Sequence, residues 1–343
     1  MAITEREIAE IAGVSRGTVD RVIHNRGRVD PEVHRRVSQV AEEHGFTPSH
    51  MGRALALAKN PVKIGVIVHL TKISFFQVVL QSLKEARQEI ARLGGELIIK
   101  EQRDIDADEQ MKLLDELVAD NVQGVVISPA QDARVRNYLN DLHQNIGIPI
   151  VTFNTDLEGL ERLCYVGVDY VKEGRTCAYL MDLLLRGKGG KILIISGHLT
   201  QPSNHLRVEG FASECGTHYP NLEIVAMQFN NDEQEKSYEI TKTMLRDIDD
   251  LDAIILVSAG HTGVCKALEE LGMSEKIKLI MFDSLPETDM YLEKGVIDFV
   301  IDQDANRQGS LPPKILFDYI FNNKKPEQER VVGQITVKTK YIS

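Results

Sequence analysis

Two features are missing from this chain: a long apolar run and closely spaced cysteines. No apolar run reaches the ~20 residues that a membrane-spanning helix requires. The polar N-terminus also lacks the apolar stretch of a secretion signal, so we expect a cytoplasmic protein with no membrane partner. The cysteines lack Cys-x-x-Cys spacing, and we interpret them as reduced thiols outside any disulfide framework or metal site. They are Cys164, Cys177, Cys215 and Cys265.

Motifs for nucleotide chemistry and acyl transfer are also missing. The first predicted strand is not followed by Gly-x-Gly-x-x-Gly, and the sequence contains neither a P-loop nor a nucleophile elbow. We therefore expect a protein that is not an enzyme and that needs no cofactor. The C-terminus lacks leucine heptads, which argues against a tetramer joined by a coiled coil.

Charge is distributed unevenly along the 343 residues, whose net charge is −11. Residues 1–60 carry nine Lys/Arg and eight Asp/Glu, whereas the remainder carries 31 and 43. An acidic body is repelled by phosphate, while a nearly neutral segment that presents arginines can approach it. The N-terminal segment is therefore the candidate for contact with DNA.

The start of the chain has the pattern of a helix-turn-helix. Thr4 and Glu7 have the spacing of a capping box, Gly13 can end the first helix, and Ser15 can cap the second. The two helices are expected to pack through apolar stripes. These stripes consist of Ile8, Ile11, Ala12, Val19, Val22 and Ile23.

The second of these helices is the predicted recognition helix, because its first residues face the major groove in such a unit. An arginine there can pair with guanine, whereas Gly17 has no side chain to read a base. The loop that follows is polar and basic. The alternative is a helical hairpin with a solvated basic turn and no role on DNA. The candidate DNA contacts in this region are Ser15, Arg16, Gly17, Thr18, Arg21, Asn25 and Arg28.

A third helix and a short hinge helix are predicted next. Asp30 and Pro31 begin the third helix, which ends at Gly45. Ser49 can cap a further helix that reaches Ala58, and this helix is too short to persist alone in water. We expect it to form conditionally. The predicted divisions are a DNA-binding domain over 1–48, a hinge helix and linker over 49–61, and a body over 62–343.

The order of these elements resembles the lactose-repressor (LacI/GalR) family of bacterial transcription regulators. The motifs are an Ala-Gly-Val-Ser turn, a Thr-Val-x-Arg-Val helix, an Asn-x-x-Gly loop, Gly-Phe-x-Pro, Arg-Ala-Leu and a following strand. The resemblance implies a homodimer on palindromic operator DNA, with a hinge leucine wedged into the minor groove. Leu55 is at the matching position, and Arg53 precedes it. Asp20 departs from the family, which usually has Ser there.

From residue 62 onward, strands and helices alternate in two successive series, which predicts parallel sheets wrapped by helices. The expected fold is an all-α helix-turn-helix head followed by an α/β body of two Rossmann-like subdomains with a ligand cleft between them. The body resembles ribose- and xylose-type sugar-binding proteins, which implies a type I periplasmic-binding-protein-like fold. Near the end, a helix is predicted over 309–321, with Pro312 and Pro313 in its first turn, and one strand over 329–337.

Polar or aromatic side chains follow nearly every predicted strand, at the edge where ligands of such sheets bind. Aromatic rings pack on sugar faces, and fixed polar groups hold hydroxyls. Each residue alone could be an ordinary loop cap, but the set together, in part matched through the resemblance, favours a sugar site. The candidate ligand contacts are Lys72, Phe75, Phe76, Ser128, Asn154, Arg207, His261, Asp283 and Gln303.

The segment Gly260-His261 stands where the family commonly has Asn-Asp. We expect this exchange to remove an amide and to leave room in the site. Together with Lys72, it leaves an acidic sugar or a sugar phosphate open as the ligand.

These observations predict a DNA-binding transcriptional regulator, more often a repressor than an activator, whose operator binding is controlled by a small sugar or sugar derivative. Whether the ligand releases DNA or promotes its binding does not follow from the residues. Two alternatives remain: a regulator that responds to a non-sugar ligand such as a purine, and a sugar-binding protein without a role on DNA.

Overall fold

The computed structural model divides the chain into two compact units, Met1–Pro61 and Val62–Ser343. The predicted hinge helix with Arg53 and Leu55 lies outside the residues that the structure describes, as do Asn25 and Arg28. The described residues are 3–23, 29–44, 61–198 and 201–341.

Three helices form the described part of the head: α1 (Glu5–Ala12), α2 (Arg16–Ile23) and α3 (Pro31–Glu43). The capping box is present, because Thr4 Oγ1 accepts from the Glu7 N–H and the Glu7 carboxylate accepts from the Thr4 N–H. Gly13 ends α1 with a left-handed φ of 64°. Ser15 Oγ accepts the Thr18 N–H at 3.1 Å and so caps α2.

The head has a small apolar core of its own, and one predicted member is not part of it. Ile11 is 53% exposed, so its assignment to the packing stripe was wrong. Ala12, one turn after Ile8, was predicted on the same face, and its small side chain is buried in the core. The buried core residues are Ile8, Ala9, Ala12, Val19, Val22 and Val37.

The first subdomain of the body contains a sheet of six parallel strands. These are β1 (Val62–Val68), β2 (Gly95–Glu101), β3 (Gly124–Ile127), β4 (Ile150–Phe153), β5 (Cys164–Gly167) and β11 (Arg330–Val332). Their order is β11-β5-β4-β3-β1-β2. Strands β3 and β4 are buried at every position, as expected for apolar strands that helices cover on both faces. The helices are α4 (Ser74–Arg92), α5 (Ala107–Ala119), α6 (Ala133–Asp141, continued by a π-turn over Leu142–Ile146) and α12 (Ala305–Asn322).

The second subdomain contains the other sheet. Its strands are β6 (Gly190–Ser196), β7 (Leu222–Phe229), β8 (Leu251–Leu256), β9 (Lys278–Phe282), β10 (Phe299–Asp302) and β12 (Thr336–Lys338). The order is β12-β10-β9-β8-β6-β7, and β12 alone is antiparallel to its neighbour. Its helices are α7 (Tyr170–Leu184), α8 (Pro202–His218), α9 (Gln234–Asp247), α10 (His261–Glu270) and α11 (Pro286–Glu293). The two predicted α/β subdomains are thus confirmed.

The C-terminal segment differs from the prediction in two ways. The single strand expected over 329–337 is two short strands, and they belong to different sheets. The helix before them begins at Ala305, because the side chain of Asp304 caps it by accepting the Arg307 N–H at 3.0 Å. Pro312 and Pro313 therefore lie inside the helix and not in its first turn, where they remove two helical N–H donors.

The chain passes between the two subdomains at three places: after β5, after β10 and between β11 and β12. The four cysteines are free, and all four are buried. Within the described ranges, no helix is long and apolar enough to cross a membrane.

Candidate functional site

A cavity of about 50 Å³ lies between the two subdomains, at the carboxyl ends of their strands. Residues that follow β1 and β4 line it from the first subdomain, and residues that follow β6 to β10 line it from the second. Six of the nine predicted ligand residues meet there. They are Phe75, Phe76, Asn154, Arg207, Asp283 and Gln303.

Arg207 is the buried cation of this cavity. Its Nε donates to Glu173 Oε2 at 2.8 Å, and its Nη1 donates to the Val257 carbonyl at 2.9 Å. Its Nη2 has no hydrogen-bond partner among the described residues and lies 4.0 Å from Asp283 Oδ1. The guanidinium carbon of Arg207 lies over the Phe282 ring, 4.2 Å from the ring centroid. The guanidinium is thus fixed and retains a donor for a ligand.

A chain of amide and carboxyl groups fixes the polar side chains around the cavity. Gln303 Nε2 donates to Asp283 Oδ1 at 2.6 Å, and Gln308 Nε2 donates to Gln303 Oε1 at 3.3 Å. Asn154 Nδ2 donates to Gln308 Oε1 at 3.2 Å. Asn154 and Asp283 both have a left-handed φ, of 59° and 72°, which Asn and Asp adopt more readily than most residues. These hydrogen bonds join the two subdomains and preorganise acceptors for hydroxyl groups.

Two phenylalanines form the apolar wall of the cavity. The rings of Phe75 and Phe76 meet edge to face, with centroids 5.1 Å apart and an interplanar angle of 89°. Both residues lie in the first turn of α4, and their side chains are almost completely buried. Phe76 also meets the His69 ring edge to face at 5.2 Å. An aromatic wall opposite fixed polar groups is suited to a ligand with one apolar face and several hydroxyls.

Asp232 lines the cavity but was not among the predicted residues. Its Oδ1 accepts the Ala259 N–H at 3.2 Å, and its Oδ2 lies 3.9 Å from His198 Nε2. Burial raises its pKa, and His198 partly opposes that effect. The available signal was its place in the polar segment that follows β7, because polar residues at strand ends lie at the ligand edge. Other lining residues outside the prediction are Leu70, Ile73, Gln201, Ser203, Asn204, Ser258 and Ala259.

Ser128 does not line the cavity. Thr155 Oγ1 donates to the Pro129 carbonyl at 3.1 Å, so the Ser128 hydroxyl, 3.0 Å from Thr155 Oγ1, donates to Thr155. Ser128 Oγ then accepts from His69 Nε2 at 3.2 Å. Burial lowers the pKa of His69 to about 4, consistent with a neutral ring. The structure therefore gives Ser128 bonds within the first subdomain.

Lys72 and His261 also lie outside the cavity lining. Lys72 is exposed and forms an ion pair with Asp104. His261 is buried, and its Nε2 bonds to the Phe282 carbonyl at 3.0 Å. Burial lowers the pKa of His261. Neither side chain brings a positive charge to the cavity.

The room that we expected at Gly260 is not present, so that expectation was wrong. A Cβ atom built there would lie 2.0 Å from Ser237 Oγ and 2.5 Å from Asn230 Nδ2. Asn230 fills the space and donates to Ser237 Oγ at 2.7 Å. Gly260 itself has a φ of 112°, which an L side chain rarely adopts.

In the head, the predicted recognition helix α2 presents its arginines to solvent. Arg21 is exposed, and its Nε donates to the Gly17 carbonyl one turn earlier at 3.0 Å. Arg16 is exposed, with its Nε 3.7 Å from Glu5 Oε2. Because both contacts are at the surface, they compete only weakly with a phosphate or a base edge.

Comparison with known proteins adds independent findings. The family model described as "Periplasmic binding protein domain" matches residues 64–324. The model described as "Bacterial regulatory proteins, lacI family" matches residues 4–49.

Relatives with similarity to most of the chain are known. Catabolite control protein A of Priestia megaterium is 24% identical over 62% of this chain and 60% of its own length. The HTH-type transcriptional repressor PurR of Pasteurella multocida is 26% identical over 96% of this chain and 95% of its own length. A solute-binding protein of an ABC transporter from Burkholderia graminis, solved in complex with D-arabinose, has a TM-score of 0.75 and 25% identity, covering 82% of this chain and 96% of that chain.

Short N-terminal helices followed by two α/β subdomains around a cleft define a DNA-binding head with a body of the type I periplasmic-binding-protein fold. Residues 4–49 belong to the lacI family of bacterial regulatory proteins, and the body of the chain is a periplasmic binding protein domain.

Proposed function

We propose that this protein is a transcriptional repressor whose binding to operator DNA is controlled by a small sugar or sugar derivative in the cleft. The observation that carries the proposal is the combination, in one chain, of a helix-turn-helix and a cavity with an aromatic wall and fixed hydrogen-bonding groups. The relative from Pasteurella multocida bears the name of a transcriptional repressor. We infer that the protein acts in the cytoplasm without catalysing a reaction.

The charges around the cavity favour an uncharged ligand. Arg207 is the cation among the described lining residues, and Glu173 pairs with it from outside the lining. Asp232 and Asp283 add two carboxyl groups to the wall. An anionic ligand would meet no net positive charge there and would lose its hydration. We therefore favour a neutral sugar or polyol over the acidic sugar or sugar phosphate that Lys72 had left open.

The size of the cavity implies that ligand binding involves movement of the subdomains. Its volume of about 50 Å³ is well below the ~300 Å³ of small ligand pockets. A sugar therefore enters only when the two walls separate, and the three chain crossings permit this. Binding would then select one of two arrangements of the subdomains.

Control of DNA binding would follow from this change in a homodimer. Two heads bound to a palindrome must have a fixed spacing, so a change in the bodies alters the affinity of the pair for the operator. The same proposal includes contacts of Asn25, Arg28 and Arg53 with operator DNA and a Leu55 side chain wedged into its minor groove.

A thermal-shift screen of the full-length protein tests the ligand class, because a ligand that binds only the folded state raises its Tm. The panel contains D-ribose, D-arabinose, D-galactose, D-gluconate, D-ribose 5-phosphate, adenine and hypoxanthine. We expect a shift with a neutral sugar and none with the two anions. A shift with a nucleobase alone would replace the sugar by the alternative ligand class.

DNA binding is tested with duplexes selected from a random library by the full-length protein. Enrichment of a palindromic sequence is the expected result. If no sequence were enriched while a sugar still raised the Tm, the protein would be a sugar-binding protein without a role on DNA.

A further inference from the structure

Glu173 is a completely buried carboxyl group that contacts Arg207 but does not line the cavity. Its Oε2 accepts from Arg207 Nε, while its Oε1 has no hydrogen-bond partner among the described residues. A buried carboxyl oxygen without a partner is unfavourable for stability. The presence of this residue is therefore better explained by its effect on Arg207 than by stabilisation of the fold.

A close crossing of α7 and α8 brings the two side chains together. A Cβ atom on Gly174 would lie 2.0 Å from the Arg207 carbonyl oxygen, and one on Gly210 would lie 2.2 Å from the Val171 carbonyl oxygen. Each helix thus has a glycine where the other helix approaches its backbone. Glu173 precedes the first glycine, and Arg207 lies one turn before the second. The backbone contact sets the short distance between carboxylate and guanidinium.

The guanidinium is restrained on its other sides as well. Nη1 donates to the Val257 carbonyl, and the Phe282 and Tyr170 rings lie 4.2 and 5.3 Å from the guanidinium carbon. Nη2 is the nitrogen without a partner among the described residues, and Arg207 lines the cavity. The bond from Nε to Glu173 therefore fixes the rotation that leaves Nη2 for the ligand.

We propose that Glu173 is a positioning residue of the ligand site: its carboxylate holds Arg207 Nε so that Nη2 is directed to the bound sugar, and protonation of that carboxyl loosens the hold. This inference rests on the proposed sugar-binding function. It makes the ligand affinity depend on pH through a residue that does not touch the ligand.

The charged surroundings of Glu173 are consistent with titration near neutral pH. Burial raises the pKa of Glu173 to about 7, although Arg207 opposes the shift. Burial acts to lower the pKa of Arg207, but its carboxylate neighbours outweigh this effect and the pKa is raised, so Arg207 stays charged. The other titratable groups that act on Glu173 or are influenced by it are Tyr170 and Cys177 on α7, Asp283 after β9 and Asp302 at the end of β10.

The first experiment needs no ligand. The full-length protein is labelled with ¹⁵N-arginine, and the Nε–H resonance of Arg207 is assigned by its loss in Arg207→Lys. In the wild type, this resonance is expected to shift with pH, with a midpoint near 7. In Glu173→Gln, which retains an acceptor of similar shape, it should not titrate. A wild-type Arg207 resonance that does not change between pH 6 and 8 overturns the proposal, and this titration is followed in the wild-type protein itself.

Glu214→Gln is the matched control. Glu214 on α8 pairs with Arg175 on α7, with Arg175 Nε 2.6 Å from Glu214 Oε2, at a more exposed position. The substitution thus removes an ion pair between the same two helices without a contact to Arg207. The Arg207 resonance is expected to titrate as in the wild type. If Glu214→Gln also removed the titration, the effect would belong to the packing of the helices and not to Glu173.

The second experiment measures sugar affinity by calorimetry, with whichever of D-ribose, D-arabinose and D-galactose gives the largest thermal shift. The wild-type Kd is expected to rise roughly three- to tenfold from pH 8 to pH 6, the effect of weakening one hydrogen bond. Glu173→Gln should show a Kd independent of pH and near the wild-type value at pH 6. Retention of the wild-type pH dependence in this variant overturns the proposal. If no sugar binds, the proposed function fails, while the Arg207 resonance still decides the role of Glu173.

Discussion

Asp283 is a carboxylate of the cavity lining, and asparagine would replace it with little change in shape. It accepts from Gln303 Nε2 at 2.6 Å and lies near Arg207 Nη2. We predict that Asp283→Asn weakens sugar binding roughly ten- to a hundredfold, because a hydrogen bond to a charged group contributes about 1.5–3 kcal/mol. Calorimetry with the sugar found in the screen gives the Kd. A change below twofold would show that the ligand does not contact Asp283.

Lys72→Met is the companion variant for this prediction. Lys72 is exposed, pairs with Asp104 and does not line the cavity. Surface ion pairs contribute little to stability, so we expect an unchanged Tm and a sugar Kd within twofold of the wild type. A tenfold loss of affinity would return Lys72 to the ligand site.

Arg21 is the recognition-helix residue with the clearest expected effect on DNA. Its side chain is exposed, and its Nε donates to the Gly17 carbonyl of its own helix. Loss of a bidentate contact to a base weakens specific binding by about 1–3 kcal/mol. Arg21→Ala should therefore raise the Kd for the selected operator about ten- to a hundredfold, as measured by fluorescence anisotropy.

Arg6→Ala serves as the control on DNA, because Arg6 is an exposed arginine on α1 that pairs with Glu10 one turn later. It removes the same charge from the head, and we expect a much smaller loss of operator affinity. Both variants should keep the thermal shift with sugar. Loss of the shift in Arg21→Ala would contradict the assignment of DNA and ligand to separate parts of the chain.

The contact between helices α7 and α8 gives a prediction about stability. The Cβ atom of Gly210→Ala would meet the Val171 backbone oxygen at 2.2 Å, and backbone cannot move away as a side chain can. We expect the helices to separate and the free energy of unfolding to fall by about 1–3 kcal/mol. Sugar affinity should fall with it, because Arg207 is on the displaced helix.

Gly216→Ala is the matched substitution in the same helix. Nothing lies within 4 Å of a Cβ atom at Gly216. Alanine in a helix is more favourable than glycine by roughly 0.5–1 kcal/mol, so this variant should be as stable as the wild type or more so. Urea unfolding of both variants measures the difference. Equal destabilisation by the two would show that close packing at Gly210 is not the cause.

The complete protein should show reciprocal coupling between sugar and operator. Allosteric coupling of about 1–3 kcal/mol corresponds to a change in affinity of roughly 5- to 150-fold, and linkage requires the same factor in both directions. We expect saturating sugar to change the operator Kd within this range, and operator to change the sugar Kd by an equal factor. At a sugar concentration that saturates the wild type but not Asp283→Asn, the operator Kd of the variant should stay unchanged. Equal operator affinity with and without bound sugar would contradict ligand control.

Local signals in the sequence determined the elements of this fold. The capping box at Thr4, the left-handed Gly13 and the Ser15 cap all act within one helical turn, so the head could be predicted from neighbours in the chain. Alternating apolar strands and amphipathic helices likewise predicted two parallel sheets. Their strand ends predicted the edge at which Phe75 and Arg207 lie.

Only the tertiary structure decided which side chains face the cavity and which partner each one has. Glu173 is separated from Arg207 by 34 positions, and a close helix crossing brings them together, which no local pattern reports. The same holds for the terminal residues, which form two strands in different sheets. Hydrogen bonds within a helical turn depend on residues close in the chain, so they can be predicted from the sequence. Contacts across a cleft depend on how complete helices and strands pack against each other, so only the tertiary structure shows them.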